Sequence, residues 1–136
     1  MQGKQIADTL IKSLKPSLHE GEFVFCDIQV MPQLDPENII CFFREEEGIT
    51  LIVRKEVADK AGLVYSFIAA WITLKVHSSL QSVGLTAAFS RALTEKGISC
   101  NVVAGYHHDH LFVPRDKSAE AMKILNRLSW NQGRDS

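Results

Sequence analysis

The spacing of apolar residues changes period several times along the chain, and each change predicts an element. Over residues 5–14, Ile6, Leu10 and Leu14 recur at helical spacing, and Ala7 and Ile11 widen the stripe. Pro16 ends that helix, because the residue before a proline is disfavoured in helical geometry. Residues 19–21 read as a turn. Residues 22–28 are rich in aromatic and β-branched side chains and predict a strand. The prolines of 32–38 predict a loop, followed by an apolar strand over 39–44. Glu46-Glu47-Gly48 then turns the chain into a strand over 49–54, a hairpin with Gly48 at the positive-φ position. A short helix over 55–60 stops at Gly62.

The second half is more regular. Ile68, Ala70, Ile72, Leu74 and Val76 alternate with Ala69, Trp71, Thr73, Lys75 and His77, which is the period of a strand with one apolar face. A polar turn over 77–83 leads to a helix over 84–96. Its stripe is Leu85, Ala88, Phe89, Ala92 and Leu93, and Gly97 stands where a left-handed C-terminal cap belongs. Strands over 98–104 and 110–114 follow, then a helix from Asp116 or Ser118 with Ala121, Ile124, Leu125 and Leu128 on its inner face. The order is β-α-β-β-α in the second half and α-β-β-β-α in the first. Both suit an α+β fold of two ferredoxin-like modules, antiparallel sheets with helices packed on one face, divided as 1–64 and 65–136.

Composition narrows the function. A net charge of −1 gives no basic excess, so the chain is not expected to bind nucleic acid. Cys26, Cys41 and Cys100 are odd in number, lack CxxC spacing and lie in apolar runs, which suits reduced buried thiols. The N-terminus has no signal-peptide core, and the apolar stretch 63–74 is too short for the ~20 residues of a membrane span. A cytoplasmic protein without membrane contact is expected, and no segment supports a transporter.

Two stretches could carry chemistry. The first is the strand-to-helix turn from His77 to Thr86. A helix start presents unpaired backbone N–H groups and a positive dipole end, which favour an anion such as an α-carboxylate. Ser79, Ser82 and Thr86 add hydroxyls there, and Gly84 admits close approach to the backbone. The plainer reading makes Ser82 an N-cap and Gly84 a turn residue. The second stretch is Tyr106-His107-His108-Asp109-His110. Consecutive residues do not all face one ion, and on a strand only His108 and His110 would share a face. His19 or His77 would have to come from afar, so a polar hairpin turn is expected and no metal. GxSxG, SxxK, GxGxxG and Walker A patterns are absent from the sequence, so hydrolysis and nucleotide binding lack their usual signatures.

The stretch ITLKVHSSLQSVGLTAAFSRALTEKGISCNVVAGYHHDHLFV resembles the ACT-domain family: strand, turn ending Val-Gly-Leu, helix ending Lys-Gly-Ile, strand, turn, strand. It is most similar to the regulatory ACT domains of aspartokinases, to cytosolic arginine sensors of animals, and to a small bacterial two-module group. FFREEEGITLIV resembles the first module of that group. The resemblance implies a regulatory protein that is not an enzyme and needs no cofactor. It implies a free amino acid bound at a module interface, in a homodimer, with output through a partner or oligomer. It places the ligand near Ser79, Leu80, Val83, Gly84 and Leu85, with His77 and Ser78 at the rim and Asn101 and Val102 completing the pocket. Aspartokinase-type sites usually carry an aspartate where this chain has Ser79, so Asp109 or another module's carboxylate would have to match the ligand's ammonium. The alternative expectation is a protein-interaction module with no small-molecule ligand, pairing through exposed sheet edges.

Overall fold

The structure, a computed structural model, describes residues 15–75 and 85–134. Their contacts group them into two compact units, one of residues 20–70 and one built from the chain up to His19 and from Trp71 onward.

The unit of residues 20–70 holds β2 (Phe23–Ile28), β3 (Ile39–Arg44), β4 (Ile49–Arg54), helix α1 (Lys55–Ala61) and the first residues of β5 (Tyr65–Leu74). Its strands lie in the order β3-β4-β2-β5, each neighbour antiparallel. Taking β2 as the first strand, this is the ferredoxin-like order 2-3-1-4. Strand alternation explains the core: Val24, Cys26 and Ile28 stand opposite Val53, Leu51 and Ile49, and all six are buried together with Ala58 of α1. Each such aliphatic side chain contributes on the order of 1.5–3 kcal/mol. The β2–β3 crossover contains a 3-10 turn, Pro36–Asn38, where the fold commonly carries an α-helix. Met31 and Leu34 from that crossover pack on the core in its place.

The other unit contains β1 (Pro16–Leu18), the end of β5, α2 (Leu85–Glu95), β6 (Asn101–Ala104), β7 (Asp109–Pro114) and α3 (Ser118–Arg134). β1 pairs with β5, which neighbours β7, which pairs with β6. This is again the ferredoxin-like order, now 4-1-3-2, with the fourth strand supplied from the N-terminal side of the chain. Helix α2 packs on α3, and α3 on β1 and β7. Phe89 and Leu93 of α2 and Ala121 and Leu125 of α3 are fully buried, as the helical stripes predict.

Most predicted elements are present, with shifted ends. β5 begins at Tyr65 and ends at Leu74, earlier than the alternation over 68–77 suggests. The expected strand over 98–104 starts only at Asn101, because Ile98 closes the end of α2. Its N–H donates to the Leu93 carbonyl at 3.0 Å, and its side chain is buried. Gly97 and Gly62 take left-handed φ of 73° and 69° at the two helix ends, as expected. Gly48 has φ 157° in the β3–β4 hairpin. β1, Pro16–Leu18, lies between the predicted helix and the predicted turn over 19–21, where the sequence pattern gave no element. The predicted helix over 5–14 lies outside the described residues. Among the described residues, no helix is long and apolar enough to cross a membrane.

Candidate functional site

Of the predicted ligand-binding residues, His77, Ser78, Ser79, Leu80, Val83 and Gly84 lie outside the described residues, and Leu85 is the first residue of α2. Asn101 and Val102 open β6, opposite Phe112 and Leu111 of β7. Asn101 is exposed and Val102 half-buried. Asp109 stands opposite Ala104 at the other end of that hairpin. Three residues of strand, about 10 Å, therefore separate Asp109 from the level of Asn101.

Asp109 is one of two buried polar residues among those described, at 8% exposure. Burial pushes its carboxyl up from the ordinary value, and His110 and His108 pull it partly back. His110 is pushed down by burial and then by His108, with Asp109 opposing. The Nδ1 atom of His108 is buried with no hydrogen-bond partner among the described residues. Gly105 closes this turn: its N–H donates to the His108 carbonyl at 2.9 Å. A Cβ at Gly105 would lie 2.9 Å from that oxygen and 3.2 Å from His110 Nε2, so a larger residue would press on both.

A second cluster joins residues far apart in sequence. The His19 ring stacks on Trp71 with centroids 3.6 Å apart and planes 10° from parallel. His19 Nε2 lies 2.7 Å from the Thr73 hydroxyl, which lies 3.1 Å from His110 Nδ1. The Trp71 indole N–H donates to the same His110 nitrogen at 3.1 Å. Alternation along β5 and β7 puts Trp71 and Thr73 on one face with His110 and Phe112, and the Trp71 and Phe112 rings stack at 6.1 Å. Sequence reasoning weighed His110 only within the histidine-rich hairpin turn and His19 only as a metal ligand brought from afar, and did not single out Trp71 or Thr73. The missing signal was β1, which pairs Leu18 with Ile72 and so carries His19 to Trp71. Among the described residues, no group of three or more His, Cys, Asp or Glu is placed to hold a metal ion. The thiols of Cys26, Cys41 and Cys100 are free. Burial raises the pKa of each, that of Cys100 to about 11.

Comparison with known proteins agrees with this architecture. Residues 2–70 match the ACT domain, and residues 66–127 match it a second time. No curated protein gives a significant match. Among solved structures, a Vibrio cholerae protein of unknown function, described as a possible transport protein, is similar with a TM-score of 0.81 and 41% identity. That match covers 93% of this chain and 98% of the other. An Agrobacterium tumefaciens protein is similar at TM-score 0.66 and 13% identity, over 85% of this chain and 89% of that one. The ligand-free regulatory subunit of aspartate kinase from Thermus thermophilus is similar at TM-score 0.59 and 10% identity, over 83% of this chain and 95% of that one. At such identities the last two speak for the fold alone. With two matched domains and two ferredoxin-like strand orders, the chain belongs to the ACT-domain family and is a regulatory protein of two ACT modules.

Proposed function

We propose that this protein binds a free amino acid beside the turn between β5 and α2 and passes the signal to a partner or through its own oligomer. The observation that carries the reading is the second ACT match, whose residues 66–127 span that turn and the helix after it. A helix start offers backbone N–H groups and a positive dipole end to the ligand's carboxylate. Ser79, Ser82 and Thr86 supply hydroxyls in the sequence of that region. The regulatory subunit of aspartate kinase from Thermus thermophilus shares this fold. Residues His77 to Leu85 hold the ligand in this reading, with Asn101 and Val102 at its side and a carboxylate of another module as the partner for the ammonium, since Asp109 stands about 10 Å along the hairpin from Asn101. The working form is a homodimer acting in the cytoplasm.

One observation favours a second reading, a protein-interaction module without a small ligand. β3 ends the strand order of its unit and carries exposed Phe42 and Phe43, the latter 69% exposed. An apolar edge strand of this kind is a template for pairing. Substituting Gly84→Trp separates the two readings. Under amino-acid sensing, calorimetric binding is lost while sedimentation still shows the dimer. If the unaltered protein takes up no amino acid, the sensing reading fails.

A further inference from the structure

The geometry points to a device independent of any amino-acid ligand: the His19–Trp71–Thr73–His110 cluster is an acid-sensitive clasp, in which protonation of His110 Nδ1 breaks its bond to the Trp71 indole, displaces the ring on which His19 stacks, and loosens β1 from the sheet. The argument starts from Trp71. An indole N–H can only donate, so His110 Nδ1, 3.1 Å away, must accept. His110 is therefore neutral, with its proton on Nε2. The Thr73 hydroxyl lies 3.1 Å from the same nitrogen, whose single lone pair the indole already uses. The same hydroxyl meets His19 Nε2 at 2.7 Å. One indole thus sets the protonation state of His110 on β7, and Thr73 beside it links that histidine to His19.

Adding a proton at His110 Nδ1 puts N–H against N–H at Trp71. The indole must then move, and with it the ring on which His19 stacks at 3.6 Å, while the Thr73 hydroxyl can still accept from the new N–H. The groups around His110 decide how freely that proton arrives. Trp71 and Thr73 of β5 and Val103 opposite on β6 are uncharged. His19 follows β1, and His108 and Asp109 sit beside His110 on its own hairpin. Burial and the His108 charge oppose protonation, and Asp109 favours it. The strand that would loosen is three residues long, with only three paired positions on β5. Its end is fixed by the His19 N–H, which donates to the Trp71 carbonyl at 2.9 Å. A strand held by so few bonds depends on its side-chain contacts.

The test is an NMR titration of the full chain from pH 7.5 to 5, following the imidazole nitrogens, the Trp71 indole N–H and the His19 amide. Trp71→Phe assigns the indole signal. The expected result has His110 as the Nε2–H tautomer at pH 7.5, with its midpoint below the ordinary histidine value. The Trp71 indole shifts with that same midpoint. Below the ordinary histidine value, the protection factor of the His19 amide falls by up to tenfold per pH unit, the limit for one proton. In Trp71→Phe the His110 midpoint rises. An Nδ1–H tautomer, an indole that does not move with His110, or His19 protection independent of pH would each overturn the proposal. If Trp71→Phe does not fold, Thr73→Val assigns the network instead, and the titration of the unaltered chain still decides the matter.

Discussion

Thr73→Val is the sharpest test of how the second ACT module is held together. Valine keeps the β-branched shape and removes only the hydroxyl, so the backbone of β5 is undisturbed. Thr73 is 4% exposed, and its hydroxyl meets His19 at 2.7 Å and His110 at 3.1 Å. His110 Nδ1 retains the Trp71 indole as a donor, so its loss is partial. His19 loses the shorter bond. Each bond contributes about 1 kcal/mol net, and the added methyl returns up to ~0.8 kcal/mol of burial. The expected net destabilisation is about 1–2 kcal/mol, which lowers the unfolding midpoint by roughly 3–6 °C in a chain of this size. The assay is thermal unfolding at pH 7.5, combined with His19→Phe in a double-mutant cycle. Phenylalanine keeps a ring on Trp71 but cannot hydrogen-bond to Thr73. A coupling of about 1 kcal/mol between the two positions is expected. Coupling within ~0.3 kcal/mol of zero, or a Thr73→Val protein as stable as the original, would refute the reasoning.

Three further outcomes follow from named residues. Stability against pH should change in two windows of opposite sign. The raised Asp109 midpoint makes stability fall as pH rises above 3.8 toward that midpoint, and the lowered His110 midpoint makes it fall as pH drops below 6.5. Asp109→Asn should remove the first window and leave the second, as read from urea midpoints across pH. Cys100, whose thiol is pushed up to about 11, should hold only ~0.1% thiolate at pH 8 and react with iodoacetamide far more slowly than in urea-unfolded chain, as followed by mass spectrometry. Gly62→Ala should cost about 1 kcal/mol, because φ of 69° strains an L-residue although no atom lies within 4 Å of the new Cβ, and Gly62→Asn should cost less in the same urea assay.

Element types were legible wherever the hydrophobic period was long. The alternation of β5 and the stripes of α2 and α3, with two strands read between those helices, gave the β-α-β-β-α order of the second module. The strand β1 was not legible, because three residues beginning with a proline show no alternation. The missing crossover helix of the first module was suggested by its prolines. That Met31 and Leu34 fill its place could be known only from packing. The repeated strand order of the two units has no counterpart in residue similarity, since a topology can be kept while every contact pair changes. The candidate turn from His77 to Thr86 was read from residue types and family resemblance. The histidine–tryptophan cluster escaped because its members, His19, Trp71 and His110, meet only once β1 and β7 are placed beside β5.

The central claim is that this two-module ACT protein senses a free amino acid. Thermal unfolding of the purified protein against each of the twenty amino acids tests it most directly. A ligand present at a hundredfold its Kd adds about 2.7 kcal/mol, a shift of several degrees. The account predicts that at least one amino acid raises the midpoint in a concentration-dependent way, and that Gly84→Trp abolishes the rise. If none of the twenty moves the midpoint at ~10 mM, enough to report a site with Kd of ~1 mM or tighter, the claim is contradicted.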